Sequence, residues 1–174
     1  MLIRKTRREE IEKLRDIDRR EIVKHVYDYK KGNLIIKDEF YDVHGWSPSD
    51  MASHIKELYA QYDRGDYIFG AFEGEKLTGI AVLGFEFISS TQDQLEVIFL
   101  HVNAKHRKQG VGTALMNKIV SQARVLGANK LYISATPSKN TIDFYLNRGA
   151  YLTKELNSKL FKLEPEDIHL DLNV

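Results

Sequence analysis

An α/β (α+β) fold built as one domain is what this sequence predicts, on three observations. From residue 66 to residue 102 the apolar stretches DYIFGAFE, KLTGIAVLGFEFI and LEVIFLHV follow one another. Only a Gly-containing turn and a short polar loop part them, as in an antiparallel meander. Beyond residue 103 the strand-like runs KLYISAT and IHLDLN alternate with helical ones, which requires a mixed sheet carrying helices. No repeat, low-complexity tract or Pro/Ser linker interrupts the 174 residues, so one continuous core spanning residues 1–174 is expected.

Leu2 and Ile3 open a short strand. Thr6 and Glu9 have the spacing of a capping box, so a helix is expected from there to about Val26, with Ile11, Leu14, Ile17, Ile22 and Val26 on one half of the wheel. Residues 27–46 lose that period and read as an aromatic, loop-rich segment. Ser47 and Pro48 fit the N-cap and first position of a second helix, with an apolar stripe of Met51, Ile55, Leu58 and Tyr62 and an end near Arg64 and Gly65. The meander follows, with its turn at Glu73–Glu75, the loop SSTQDQ and a strand over residues 95–102. A basic loop, 103–112, leads into a helix that presents Leu115, Ile119, Ala123 and Leu126 on one face and stops at Gly127. KLYISAT is then a strand, Ser138 to about Arg148 the last helix, and IHLDLN the last strand.

Composition removes several functions. Lys+Arg number 26 against 25 Asp+Glu, a formal charge of +1, so neither nucleic acid nor an anionic membrane is expected as a partner. The absence of cysteine excludes disulfide frameworks, thiolate metal sites and a thioester route through an enzyme cysteine. His25, His44 and His54 lack metal-ligand spacing, so no metal is expected. The opening MLIRKTRREE is charged and holds no apolar run of the length an export signal or membrane span needs, and a cytoplasmic protein is the expectation.

The string RKQGVG, Arg107–Gly112, joins an apolar strand to an amphipathic helix. A helix N-terminus offers unpaired amides and the positive end of its dipole, and Gly110 and Gly112 let an anion approach without meeting a Cβ. Arg107 and Lys108 add positive charge beside the same point. A diphosphate-bearing ligand held by Arg107, Lys108, Gln109, Gly110, Val111, Gly112 and Thr113 is therefore expected. The lysine and hydroxyl of a P-loop are missing after the last glycine, and GVGTAL lacks the third small residue of the dinucleotide fingerprint, so neither a nucleoside triphosphate nor NAD is favoured. The same glycines also read as a plain strand-to-helix turn with solvated basic neighbours.

Arg107, Gly110 and Gly112 resemble the pyrophosphate loop of the GNAT superfamily of acyl-CoA-dependent N-acetyltransferases: Arg or Gln, two residues, Gly, one residue, Gly or Ala. The likeness runs through LEVIFLHVNAKHRKQGVGTALM and NTIDFYLNRGA and covers about residues 66–152. It implies a mixed, mostly antiparallel twisted sheet of about six or seven strands flanked by about four helices. It also implies acetyl-CoA as cosubstrate and direct acetyl transfer to a primary amine of a small molecule or peptide. In that family the strand before the loop splays from its neighbour, leaving backbone groups for the pantetheine arm, here at Leu100, His101 and Val102. Tyr145 in FYLNRGA matches the family's general-acid tyrosine, and Glu96 stands where a glutamate activates the amine through water in the histone-acetylating branch. Where many relatives have asparagine seven residues before the tyrosine, this chain has Ser138, with Asn140 two residues on.

Direct transfer needs a neutral amine, stabilisation of an oxyanion and a proton for the departing thiolate. A phenol, with a pKa near ~10, suits the last task. A carboxylate base must have its pKa raised to act near neutrality, which burial would achieve; His101, Tyr132 and Glu86 are alternative bases. Tyr145 also reads as a packing residue, Glu96 as a strand-edge carboxylate and Ser138 as the N-cap of the last helix. The resemblance puts the acceptor across the sheet from the cofactor, beside residues 27–46 and 88–94. There Tyr27, Tyr29, Tyr41 and Trp46 form either a ligand wall, with Asp28, Glu39 or Asp42 attracting an ammonium, or anchors tying a loop to the core. An acyl-CoA sensor without catalysis, and a homodimer through sheet edges near the C-terminal strand, are both compatible with the sequence.

Overall fold

The computed structural model describes residues 1–174. In chain order it contains β1 (Leu2–Lys5), a 3-10 helix (Arg8–Asp16), β2 (Glu21–Lys30), β3 (Asn33–Val43), α1 (Pro48–Arg64), β4 (Tyr67–Glu73), β5 (Lys76–Phe87) and β6 (Gln94–Val102). A single 3-10 turn at Ala104–His106 precedes α2 (Val111–Val125), β7 (Lys130–Ala135), α3 (Lys139–Leu146), β8 (Tyr151–Leu152), α4 (Ser158–Leu163) and β9 (Ile168–Asn173). Seven strands form one sheet in the order β1-β4-β5-β6-β7-β9-β8, while β2 and β3 pair only with each other. Every neighbouring pair in the large sheet is antiparallel except β6 and β7. The mixed, mostly antiparallel α/β architecture read from the sequence is the one observed.

The β6–β7 pair positions the site. Its parallel pairing covers only Gln94–Val97 against Lys130–Ile133. Between β5 and β6 the register skips Ile98, with Leu83 facing Val97 and Val82 facing Phe99, and such a bulge bends the strand that carries it. Past Val97, β6 stays with β5 while β7 stays with β9, and a gap opens between them.

Both faces of the sheet are covered. On one, Leu115, Met116, Ile119 and Ala123 of α2 and Ile142 and Tyr145 of α3 bury against Ala81, Leu83, Leu95, Val97, Leu131 and Ile133. On the other, Ile11, Leu14 and Ile17 pack with Ile55 and Leu58 of α1 onto Phe72, Leu77, Ile80 and Val82. Each Val, Leu, Ile, Phe or Met among them contributes about 1.5–3 kcal/mol by leaving water, so neither layer is dispensable.

The N-terminal region departs from expectation. The helix expected from Thr6 to Val26 is a nine-residue 3-10 helix that ends at Asp16. Its cap lies one residue later than the Thr6/Glu9 pair: Arg7 is the N-cap and its amide donates to Glu10 Oε2 at 2.9 Å. Asp18 Oδ1 then accepts from the Arg20 amide at 3.0 Å, turning the chain out of helical conformation, and β2 begins. A register irregularity between Val23 and His25 interrupts strict alternation, so the buried positions fall at Val23 and Val26. That three-residue spacing imitates a helix. Residues 27–46, expected as loop, hold the rest of β2, the turn and β3. Lys31 (φ 48°) and Gly32 (φ 86°) supply the two left-handed residues that a twisted two-residue hairpin turn requires.

β2 crosses the mouth of the gap. The Ala104 amide donates to Asp18 O at 2.7 Å beyond the end of β6. At the far side the Tyr27 amide donates to Pro137 O at 2.8 Å and Tyr27 Oη to Asp143 at 2.8 Å. β8 and α4, which carry no clear sequence period, lie between α3 and β9. Asn157 caps α4 by accepting from the Lys159 and Leu160 amides.

Candidate active site

Backbone pairing assigns the end of β6. The Asn103 amide donates to Thr78 O at 2.9 Å, continuing the register in which Gly79 faces Val102 and Ile80 faces His101. Hydrogen bonding alternates along an antiparallel pair, so the backbone of His101 belongs to the β5 ladder and that of Leu100 and Val102 turns into the gap. Of the three residues expected to offer free backbone groups, His101 is thus set apart. Its ring lies on the opposite sheet face, against Phe99 (4.4 Å between centroids) and Trp46 (4.9 Å).

At the gap's wider end, α2 begins. Its first internal hydrogen bond runs from the Ala114 amide to Gly110 O at 2.9 Å, and Gly110 has no capping side chain, so the amides of Val111, Gly112 and Thr113 remain unpaired. Gly110 takes φ 85°, and a Cβ there would meet nothing within 4 Å. Gly112 is small for a different reason, because a Cβ would lie 3.0 Å from the Phe144 ring. The three amides and the open approach at Gly110 fit a diphosphate.

The loop cations divide. Arg107 turns away from the helix end, donating to Val102 O, Arg20 O and Arg19 O at 3.1 Å each and pairing with Glu21 at 3.2 Å. It fastens the chain before β2 to the end of β6. Lys108 is exposed with φ 61°, and Gln109 donates to Lys105 O at 2.7 Å.

Glu96 and Tyr145 occupy opposite faces. Leu95 and Val97 point into the α2 layer, so Glu96 between them points to the other side. It is largely buried, and burial, reinforced by the charges of Glu164 and Asp66, pushes its carboxyl up to about 7 against the opposing pull of Lys159 and Arg64. His101 is driven down to about 3 by burial and by neighbouring Arg19. Tyr145 is 5% exposed within the α2–α3 core, and burial raises its phenol well above the ordinary value. Among the alternative bases, Tyr132 Oη is engaged with His169 Nδ1 at 2.9 Å and with the Asn157 amide at 3.2 Å, and Glu86 is exposed. Ser138 is the N-cap of α3, accepting from the Thr141 amide and donating to Thr141 Oγ1 at 2.8 Å. Asn140 donates to Glu21 at 3.1 Å, which ties it to β2.

The description "Acetyltransferase (GNAT) family" belongs to the family model that matches residues 33–150, from the start of β3 to the end of the Tyr145 segment. This chain is a member of the GNAT acetyltransferase family. A curated relative, N-acetyltransferase 8B of Rattus norvegicus, is 29% identical over 103 residues, 58% of this chain, and the chain spans 46% of that relative's length. Two solved structures share the fold across 99% of this chain. Nourseothricin acetyltransferase has 19% identity and a TM-score of 0.72 over 97% of its own chain. A Bacillus anthracis str. Ames protein assigned as a streptothricin acetyltransferase, in complex with acetyl coenzyme A, has 16% identity and a TM-score of 0.74 over 98% of its chain.

In this GNAT family member one residue beside the α2 amides was not expected from the sequence. Arg148 lies over the Phe144 ring at 3.5 Å and donates to Thr113 Oγ1 and Phe144 O, bridging α3 to the start of α2. Its buried Nε has no acceptor. The only signal was a basic residue one turn beyond Phe144 in FYLNRGA.

Proposed function

We propose that this protein is an acetyl-CoA-dependent N-acetyltransferase that passes an acetyl group directly to a primary amine of a small molecule or peptide. The observation that carries this reading is the gap after Val97. It is lined by the backbone of Leu100 and Val102 and ends at the unpaired amides of Val111, Gly112 and Thr113. When bound, acetyl-CoA supplies the activated acetyl group and the thiolate leaving group. The α2 amides and Arg148 hold the diphosphate, and the Leu100 amide donates where negative charge develops on the carbonyl oxygen.

Glu96 takes the proton of the incoming ammonium through water, because a carboxylate poised near 7 both accepts and releases a proton near neutrality. His101, held near 3, is too weak a base. As the N–C bond forms and the C–S bond breaks, Tyr145 gives its proton to the sulfur; burial makes the phenol a weaker acid than a free tyrosine, so it stays protonated until the thiolate's charge develops beside it. The absence of cysteine supports both direct transfer and a cytoplasmic setting.

Release of free CoA from acetyl-CoA in the presence of a panel of primary amines tests the reading. Tyr145→Phe should slow release by about 10²-fold or more with CoA affinity retained. Equal turnover in the variant removes Tyr145 as the acid, and no release with any amine leaves a CoA-binding domain without this activity.

A further inference from the structure

We propose that the acceptor amine also carries a carboxylate, and that Arg19, laid against Trp46, receives it. The inference rests on the acetyltransferase reading of the same site and names the class of acceptor. Arg19 is partly buried, its guanidinium carbon 5.5 Å from the centre of the Trp46 ring. No hydrogen bond or ion pair from its side chain reaches any group of the protein, although a guanidinium has five N–H donors to satisfy. Every other arginine except the exposed Arg124 has an acceptor, whereas the Arg19 donors are left to water and are free to meet an anionic ligand.

The two carboxylates near enough to feel its charge are committed elsewhere. Glu21 pairs with Arg107 at 3.2 Å and accepts from Asn140 at 3.1 Å. Asp50 accepts from the Ser47 amide at 3.2 Å in the capping box of α1. Arg19 is also fixed in place, since its carbonyl accepts from the same Arg107 that grips Val102 O.

This cation faces the acceptor side of the gap. Trp46 stacks on Phe99 (6.1 Å, 14° between planes) and meets His101 edge-on, so Arg19, Trp46 and β6 form successive layers on the face that also carries Glu96. His54 closes the cluster at 5.3 Å from Trp46. The acidic surroundings of Glu96 suit the ammonium and the Arg19 end suits an anion, with neutral His101 adding no competing charge. The amine must reach the carbonyl held at the Leu100 amide, one residue from His101, while Glu96 lies four residues back, ~13 Å at ~3.3 Å per residue, and is reached through water. An amino acid or short peptide whose amine sits beside Leu100 lays its carboxylate across Trp46 to Arg19.

Matched amine pairs test this, each amino acid or short peptide beside its C-terminal amide, with CoA release as the rate. Carboxylates should show a KM about ten- to a hundredfold below their amides, the worth of a charge-assisted hydrogen bond. Arg19→Met, which keeps the stem over Trp46, should raise the carboxylates' KM to that of the amides while CoA affinity is kept. Arg19→Lys should fall between. Trp46 is the chain's one tryptophan, so its fluorescence reports the subsite without turnover. With CoA present, carboxylated amines should change the emission of the wild type and not of Arg19→Met. Equal KM values within the pairs, or one titration curve for both proteins, overturn the carboxylate subsite. Should no amine release CoA, the acetyltransferase reading fails while the Trp46 titration still decides the subsite.

Discussion

Glu96 was legible as a carboxylate in the right strand, but its usefulness comes from what surrounds it. Burial between elements far apart in sequence, Asp66 after α1 and Glu164 after α4, moves its carboxyl to about 7. A carboxyl with a higher pKa folded than unfolded binds its proton more tightly in the native state. The native state therefore loses stability as pH rises from about 4.5 through about 7. Glu96→Gln should remove that loss, raising stability on the order of 1–3 kcal/mol at pH 8 and leaving it unchanged at pH 4, as read from thermal unfolding at the two pH values. The same variant should lower amine acetylation by about 10²–10⁴-fold. For the wild type, kcat/KM corrected for the neutral amine fraction should climb through pH ~7. Arg107 shows the converse at this scale: the family pattern marked its position, and its side chain is spent on three carbonyls and a carboxylate.

Among elements, β2 is the one whose nature matters most. As a strand and not the end of a helix, it reaches from the end of β6 to the turn after β7 and spans the gap. Its near end is held by Arg107, so Arg107→Ala should cost about 2–3 kcal/mol, three hydrogen bonds at about 1 kcal/mol each. Hydrogen exchange at the Val26 and Tyr27 amides should speed up in step. Arg107→Lys should not restore the loss, since an ammonium cannot serve three diverging carbonyls as a planar fork does. Lys108→Ala, in an exposed residue, should stay within about 0.5 kcal/mol of the wild type. The hairpin was hidden in the sequence because its buried residues are spaced by an irregular register and most of β3 faces solvent. A strand without a buried face has no period to read.

For the whole molecule, the proposed ligand site would draw on three elements at once: β6 for the backbone in the gap, α2 for the amides and α3 for Tyr145 and Arg148. A ligand that uses all of it should stabilise the fold more than one that uses the α2 amides alone. CoA at about 100 times its dissociation constant should add ~2.7 kcal/mol, a rise of roughly 5–10 °C in Tm for a chain of this size. ATP and NAD at the same concentration should add far less, because neither has an arm to lie along Leu100 and Val102. Equal shifts with all three would reduce the site to a phosphate loop.

By itself the sequence determined the mixed α/β class, the meander, α1 with its Ser47 cap, the strand–loop–helix unit at Arg107–Gly112, and the positions of Glu96 and Tyr145. These follow from short-range patterns of period, caps and glycine spacing, which are properties of contiguous residues. Only the tertiary structure decided that β6 and β7 part after Val97, that Leu100 and Val102 and not His101 face the gap, that Arg107 is a fastener, and that Arg19 stands unpaired beside Trp46. Each of these is set by groups brought together across tens of residues, and strand register and burial are settled only when those groups pack.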